Sequence, residues 1–269
     1  MTRRARGAII VAITLAVAAL VLVGLRGAGR KARKPDPTAS AHVPLAAGGA
    51  AVEDPDAGDQ IVEDARRYQV RTWSFALDRY DVRIEDVAMG TALDAVLART
   101  NAELAVNGGF FDPEGKALGL AMSDGAVLSR LSRTTGGVIT LDGERARLWA
   151  TEKFTTPEGT RFAIQCKPRL VVESAPNVRS DDGHRSERTA LCLRDGGKTM
   201  EVVIVRGETA ESMGPSLFAL GRYLARHGCE NALNLDGGPS TGIAWRENGN
   251  IQQLPPRGGI RHAITFKPR

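Results

Sequence analysis

The chain has 269 residues, enough for one large domain or two small ones, with the 42% hydrophobic and 25% charged content of an ordinary globular protein. Its formal net charge of +5 comes from eight Lys and Arg residues before Asp36, and the rest holds 28 Lys and Arg against 31 Asp and Glu. Since the sequence lacks clustered basic residues with interleaved aromatics, we exclude nucleic acid as a partner.

The N-terminal segment contains 19 uncharged residues at 7–25, with Thr14 as its one hydroxyl side chain. As a helix it would be about 28 Å long, close to the roughly 30 Å hydrocarbon core of a membrane. A signal anchor, a cleaved signal peptide and a buried core helix are the alternatives. The length of the run and the lack of a clear cleavage site before Arg26 favour a membrane anchor over residues 1–34. Residues 35–60, rich in Pro, Ala, Gly and Asp, predict a flexible linker.

Residues 61–269 form the predicted folded domain. Apolar patterns predict strands at 68–77, 80–87, 104–106, 119–122, 126–128, 137–141, 161–165, 170–172, 189–193, 200–205 and 232–235. Helical spacing predicts helices at 91–99 and 216–226, the second ending before Gly228. Because strands and helices do not alternate regularly, we expect an α+β domain, a strand-rich mixed sheet with few helices, preceded by the transmembrane helix and linker.

Two glycine motifs follow predicted strands and could carry chemistry. The first comprises Asn107, Gly108, Gly109, Phe110, Phe111 and Asp112. Paired glycines let backbone approach a ligand closely, although Asn-Gly is also a hairpin turn signal. The second comprises Asn234, Leu235, Asp236, Gly237, Gly238, Pro239, Ser240 and Thr241. Here Asp236 could act as base, nucleophile or metal ligand, or the segment could be a turn capped by its hydroxyls.

Together these motifs resemble the phosphodiester glycosidase family, of the N-acetylglucosamine-1-phosphodiester α-N-acetylglucosaminidase (uncovering enzyme) type. Further segments resemble the family at 118–120, 165–171, 188–190, 216–228 and 261–264. Lys167 stands where the family usually has glycine, and Pro239 where a small residue is common. The resemblance covers about residues 68–266, in the expected order.

The resemblance implies hydrolysis of a sugar-1-phosphodiester at the anomeric C–O bond, on envelope or polysaccharide substrates. A phosphate is a weakly basic leaving group, so neutralising its departing charge should matter more than protonating it, and Arg suits this task. The hypothesis therefore assigns Arg188 to the phosphate and Asp236 to the anomeric carbon, as nucleophile or as base for water. Asn107 completes the predicted catalytic set.

Further residues are predicted to bind the substrate: Gly108, Gly109, Phe110, Asp112, Gln165, Thr189, Asn234, Gly237, Gly238, Ser240 and Thr241. Phe110 could equally belong to the core, and Asp112 could equally cap its turn. No cofactor or metal site is expected, with a divalent metal left open. A non-catalytic carbohydrate- or phosphate-binding envelope module is the alternative function. His184 and His262 are candidates for acid–base work, although a lone histidine is more often a surface or core residue.

Compartment and cysteine pairing complete the predictions. The resemblance favours an extracytoplasmic domain on the membrane anchor, or a secreted one after cleavage. A count of the Lys and Arg residues on the two sides of the apolar run would instead place the C-terminal side in the cytoplasm, but the counts are close and the guide is weak. In an oxidising compartment one disulfide is plausible among three cysteines. Cys166 and Cys192 belong to neighbouring predicted strands and are the favoured pair, leaving Cys229 unpaired.

Overall fold

The computed structural model describes residues 59–207 and 213–269, which belong to one compact unit. The predicted transmembrane helix and nearly all of the predicted linker lie outside this part of the chain. Neither α-helix in the described part is long and apolar enough to cross a membrane.

Three sheets make up the described fold. The first has seven strands in the order β1 (Gln60–Glu63), β2 (Arg66–Ala76), β13 (Thr199–Arg206), β12 (Arg188–Arg194), β14 (Asn231–Asn234), β10 (Arg169–Val172) and β11 (Ala175–Pro176). The second has the order β16 (Asn250–Leu254), β15 (Ile243–Glu247), β4 (Leu104–Asn107), β17 (His262–Pro268) and β3 (Tyr80–Asp86). The third has the order β6 (Ala126–Ser129), β5 (Ala121–Ser123), β9 (Thr160–Cys166), β7 (Gly137–Asp142) and β8 (Arg145–Ala150).

The strand-rich α+β prediction is confirmed, but the expected mixed sheet is wrong, because the strand pairs of the described residues are antiparallel. Hairpins such as β1–β2 and β7–β8 need only short turns, whereas parallel neighbours need long crossovers. The predicted strands at 68–77 and 80–87 correspond to β2 and β3.

The first sheet is buried on both faces, which explains its continuous apolar runs. One face carries the main core together with the other two sheets, through residues such as Trp73, Phe75, Leu104, Ile139, Phe162, Leu191, Leu233 and Phe266. The rings of Phe75 and Phe266 stack with centroids 4.2 Å apart. The opposite face is covered by an α-helix, with Tyr68, Val70, Ala190, Val203 and Leu220 between them.

Both helices predicted from spacing are present. Helix α1 (Leu93–Thr100) packs on the second sheet through Val96 and Leu97. Helix α2 (Leu217–Arg226) covers the first sheet, and its N-terminus is capped by the Ser216 hydroxyl, which accepts from the backbone N–H of Ala219 at 3.0 Å. The chain leaves α2 at Gly228, which has a φ of +82°.

The cysteine pairing differs from the prediction: Cys192 is bonded to Cys229, and Cys166 is buried and unpaired. Cys192 lies on β12, beside the β14 residue Ala232, and Cys229 immediately precedes β14 in the same sheet. Cys166 ends β9 in the third sheet, so it is not the strand neighbour of Cys192 that sequence order suggested.

Removing this disulfide should cost stability because it closes a segment of 37 residues. We expect the double variant Cys192→Ala/Cys229→Ala to lose about 3–4 kcal/mol of unfolding free energy. Denaturant titration of the variant and the wild type measures the difference. If denaturing alkylation without reduction labelled Cys192 or Cys229 rather than Cys166, the pairing would be refuted.

Candidate active site

The two glycine motifs meet where the ends of β4 and β14 approach each other. The backbone N–H of Asp236 donates to the carbonyl of Gly108 at 3.1 Å. The Asn107 amide Nδ2 donates to the carbonyl of Asp236 at 2.7 Å. Residues separated by more than 120 positions are thus joined at the border of the first two sheets.

Asn107 is buried and its side chain is committed to protein groups. Besides its bond to Asp236, its Oδ1 accepts from the Thr189 hydroxyl at 2.8 Å and from the N–H of Gly242 at 3.2 Å. Thr189 and Thr241 are fully buried, with their hydroxyl oxygens 3.4 Å apart. These three side chains lie behind the loop, where they fix the backbone of Asp236.

Gly108 is required because the chain at the end of β4 lies very close to the start of β17, its neighbour in the second sheet. Its N–H donates to the carbonyl of His262 at 2.8 Å. A Cβ on Gly108 would lie only 2.8 Å from the Cβ of His262, whereas one on Gly109 would meet its nearest atom, the Cys166 sulfur, at 3.6 Å. The first glycine therefore permits a close approach, and the second has room for a methyl group.

This difference predicts unequal effects of two alanine substitutions. Gly108→Ala should lower the unfolding free energy by about 1–3 kcal/mol, the usual cost of overpacking. Gly109→Ala is the matched control and should change stability much less. Thermal unfolding of both variants measures the effect, and equal melting temperatures would contradict the close approach.

His262, one of the two histidines considered for acid–base work, lies beside the first motif. A Cβ on Gly109 would be 3.8 Å from its Nδ1, and its Nε2 is 4.0 Å from a carboxylate oxygen of Asp86. Burial lowers the pKa of His262, and the nearby Asp86 carboxylate partly opposes this. The imidazole is therefore neutral at neutral pH.

Asp236 is partly buried at the start of the second loop. Burial raises the pKa of its carboxyl, while hydrogen bonds from Ser240 and from the N–H of Gly237, at 3.0 Å, oppose the rise. The Ser240 hydroxyl also lies 2.9 Å from the carbonyl oxygen of Gly259 and, having one hydrogen, donates to one of these two acceptors at a time. Asp236 thus has the raised pKa that burial gives to functional carboxyl groups.

The loop after Asp236 packs against the chain just before β12. A Cβ on Gly237 would be 2.8 Å from the carbonyl oxygen of Glu187 and 3.9 Å from the Cα of Arg188. Gly238, with a φ of +57°, donates its N–H to the same carbonyl at 2.8 Å. The paired glycines therefore bring the backbone after Asp236 against that of Arg188.

Arg188 is a buried cation, 6% exposed, and no carboxylate lies within 4 Å of it among the described residues. Its Nε donates to the carbonyl of Pro215 at 3.0 Å and its Nη2 to that of His184 at 3.1 Å. Burial lowers the pKa of Arg188 to about 10, so it stays charged at neutral pH. Two carbonyls orient the guanidinium and leave its charge available to an anion.

Glu187 supports this region and was not predicted from the sequence. Its buried carboxylate accepts from Nε of Arg206 at 3.0 Å, and Nη2 of Arg257 lies 3.1 Å from its other oxygen. Since its carbonyl receives the N–H of Gly238, the ion pairs hold the second loop in place. Only the fold brings the two arginines together, so no local pattern indicates this role.

The side chains of the remaining predicted residues are hydrogen-bonded to backbone groups. Gln165 accepts at Oε1 from the N–H groups of Leu120 and Ser132, at 3.0 and 2.9 Å. Asp112 caps its own turn by accepting from the N–H of Lys116 at 2.7 Å. Asn234 donates from Nδ2 to the carbonyls of Lys167 and Leu235, at 2.9 and 2.8 Å.

Two cavities border on Phe110, which is half-buried against the main core. One, of about 300 Å³, is bordered by Phe111, Gln165 and Cys166. The other, of about 470 Å³, is lined by Arg188 and Asn234. Within residues 59–207 and 213–269, no three His, Cys, Asp or Glu side chains converge as a metal site would require.

Comparison with known proteins gives the following relationships. A family model described as phosphodiester glycosidase matches residues 100–265. The catalytic domain of zebrafish N-acetylglucosamine-1-phosphodiester α-N-acetylglucosaminidase, auto-inhibited by its pro-peptide, superposes with a TM-score of 0.65 at 18% identity, over 78% of this chain and 81% of that one. No curated protein matches the chain.

Two further structures share the fold. A hypothetical protein from Synechocystis has a TM-score of 0.54 at 15% identity, over 78% of this chain and 61% of its own. A putative exported protein from Burkholderia pseudomallei has a TM-score of 0.54 at 16% identity, over 75% of this chain and 74% of its own. At such identities these likenesses concern the fold alone.

Proposed function

Because the chain belongs to the phosphodiester glycosidase family, we propose that it hydrolyses a sugar-1-phosphodiester at the anomeric C–O bond, releasing free sugar and a phosphomonoester. The observation that carries the proposal is the packing of the Asp236 loop against Arg188, through Gly237. The proposal places the Asp236 carboxylate and the Arg188 guanidinium at the two ends of a C–O–P bridge.

In this reaction the bond between C1 and the phosphate oxygen breaks, and its electron pair leaves with the phosphate. Arg188 stabilises that charge, since its planar fork can bind two phosphate oxygens. Asp236 either attacks C1 itself, to be displaced by water, or takes a proton from the water that attacks C1. Water thus supplies the new hydroxyl of the sugar.

Asn107, Thr189 and Glu187 act in this proposal as positioning residues. Asn107 bonds to the backbone of Asp236, and Thr189 bonds to Asn107. The Glu187 carbonyl receives the N–H of Gly238. The substrate is contacted instead by Arg188, Asp236, Phe110 and the loop backbone. The positioning residues hold these groups rigidly, which improves the catalytic geometry.

The test uses the full-length protein with the methyl ester of N-acetylglucosamine 1-phosphate. We expect equal amounts of reducing sugar and methyl phosphate, detected by ³¹P and ¹H NMR. Retention of configuration in the first-formed anomer indicates attack by Asp236, and inversion indicates attack by water. Binding of the ester without turnover would contradict the proposal and favour a non-catalytic binding module.

We further propose that residues 1–34 anchor the protein through a membrane helix at 7–25, with 35–60 as linker, and that the domain acts outside the cytoplasm on envelope or polysaccharide substrates. The Cys192–Cys229 disulfide supports this location, since such bonds are rare in reducing compartments. Digestion of intact cells or spheroplasts by external protease tests it, and protection until lysis would contradict it.

A further inference from the structure

We infer that the cavity of about 470 Å³ beside Phe110 is a subsite for a second anionic group, a phosphate or carboxylate carried by the aglycone beyond the scissile phosphate. This inference rests on the proposed function and narrows its substrate class. The cavity is lined by Phe110, Thr135, Gly136, Glu152, Lys167, Pro168, Arg169, Asn177, Arg188, Leu217 and Asn234.

The charge of the lining carries the inference. Three cations, Lys167, Arg169 and Arg188, face one carboxylate, Glu152. Within the described residues none of these four groups forms an ion pair, although ion pairs are common elsewhere on the molecule. If Arg188 neutralises the scissile phosphate, Lys167 and Arg169 remain as a positive surface that a neutral aglycone would not use.

Two glycines, Gly136 and Gly137, allow the side chains of these cations to pack closely against the backbone. A Cβ on Gly137 would lie 2.6 Å from Cγ of Arg169, and one on Gly136 would lie 3.1 Å from Cβ of Lys167. The stem of Arg169 therefore lies directly over Gly137. This contact restricts the position of the arginine at the cavity, whereas an unconstrained surface arginine would have many conformers.

The lining also includes a buried amide and the start of a helix. Asn234, 5% exposed, lines the cavity, but its Oδ1, which has no hydrogen-bond partner among the described residues, is itself buried, so the amide adds no exposed acceptor to the subsite. Leu217, also on the lining, is the first residue of the ten-residue helix α2. The N-terminus of this helix is already occupied by the Glu63 carboxylate, which accepts from the N–H of Ser216 at 2.8 Å and from its hydroxyl at 2.6 Å. The positive potential of the cavity therefore comes from its side chains.

The test compares two diesters of one sugar 1-phosphate with the full-length protein: an ethyl ester, and a 2-phosphonoethyl ester that carries the second anion. In the wild type we expect kcat/KM to be at least about tenfold higher for the phosphonate. Lys167→Gln and Arg169→Gln should each reduce this ratio several-fold. The exposed Lys267→Gln, on the second sheet, is the matched control and should leave it unchanged.

A ratio near one in the wild type, or unaltered by Lys167→Gln and Arg169→Gln, would overturn the inference and leave the proposed hydrolysis standing. If neither ester is hydrolysed, the proposed function fails, and calorimetric titration with inorganic pyrophosphate decides the subsite separately. Binding weakened at least about threefold by Lys167→Gln and Arg169→Gln but not by Lys267→Gln supports the subsite. No binding, or binding unaffected by them, rejects it.

Discussion

Asp236→Asn is expected to lower kcat/KM for a sugar-1-phosphodiester by at least about 100-fold, because a positioned base alone typically contributes 10²–10⁴. The Asn side chain can still accept from the N–H of Gly237, so the loop should keep its conformation. Asp78→Asn, in the exposed turn between β2 and β3, is the control and should retain full activity. Intact mass should be checked, since an Asn-Gly sequence can deamidate back to Asp. Near-normal turnover by intact Asp236→Asn would remove this carboxylate from the chemistry.

The same substitution should have an opposite effect on stability. Burial raises the pKa of Asp236 in the folded state above its unfolded value, so the ionised form costs stability. This cost is present in full above the raised folded-state pKa and disappears below the unfolded value near 4. Asp236→Asn should therefore raise the melting temperature at neutral pH, with a smaller gain as the pH approaches 4. Equal melting curves at neutral pH would contradict a penalty for burying the carboxylate.

The pH dependence of the wild-type rate should reflect the ionisation of the Asp236 carboxyl group. As nucleophile or base, Asp236 must be ionised, so kcat/KM should fall as the pH drops through its raised pKa. The acid limb should therefore lie above the usual range of an Asp side chain.

Much of the fold could be predicted from apolar periodicity because most strands bury at least one face. The hairpin of β15 and β16 was nevertheless missed. Its turn contains Asn248 and Gly249, both with positive φ, which is the strongest short hairpin signal. The exposed polar sequence of β16, Asn250–Leu254, hid the second strand. Edge strands of this kind are specified by their turn and partner rather than by burial.

The motifs that predicted the family were sufficient, and the family match over residues 100–265 confirms that prediction. The roles of individual residues within the motifs were harder to predict from the sequence. Asn107 has a side chain of the type that often binds substrate, yet its amide is already hydrogen-bonded to Asp236, Thr189 and Gly242. Those partners are distant in sequence, so only the packing of two sheet ends distinguishes a group that contacts substrate from one that positions the loop.

The disulfide shows the same limit. Cys166, Cys192 and Cys229 all lie near predicted strands, and linear order does not show which strands share a sheet. β12 and β14 are adjacent, while β9 belongs to the third sheet. Strand order thus depends on long-range pairings that local patterns do not contain.

Arg188→Gln should reduce turnover selectively when the leaving group is a phosphate. We expect a loss of about 100-fold or more in kcat/KM for the sugar-1-phosphodiester, since removing one preorganised donor to a developing oxyanion costs about 10²–10³. Any slow cleavage of a nitrophenyl glycoside of the same sugar should fall much less, because that leaving group has no phosphate to bind. Arg147→Gln, an exposed arginine paired with Asp142 on the third sheet, is the control for charge and should affect neither substrate.

Arg188→Lys separates charge from geometry. A lysine keeps a cation but cannot bridge two phosphate oxygens, and it loses its proton more readily when buried. Its activity should therefore lie closer to that of Arg188→Gln than to the wild type. In the wild type, the phosphodiester rate should decline as the pH rises through the Arg188 pKa of about 10 and its cation is lost. Because Arg188 hydrogen-bonds the carbonyls of Pro215 and His184, both variants must melt cooperatively for the comparison to count. Equal losses on the phosphodiester and the nitrophenyl glycoside would place Arg188 outside the phosphate contact and assign it to the support of the fold.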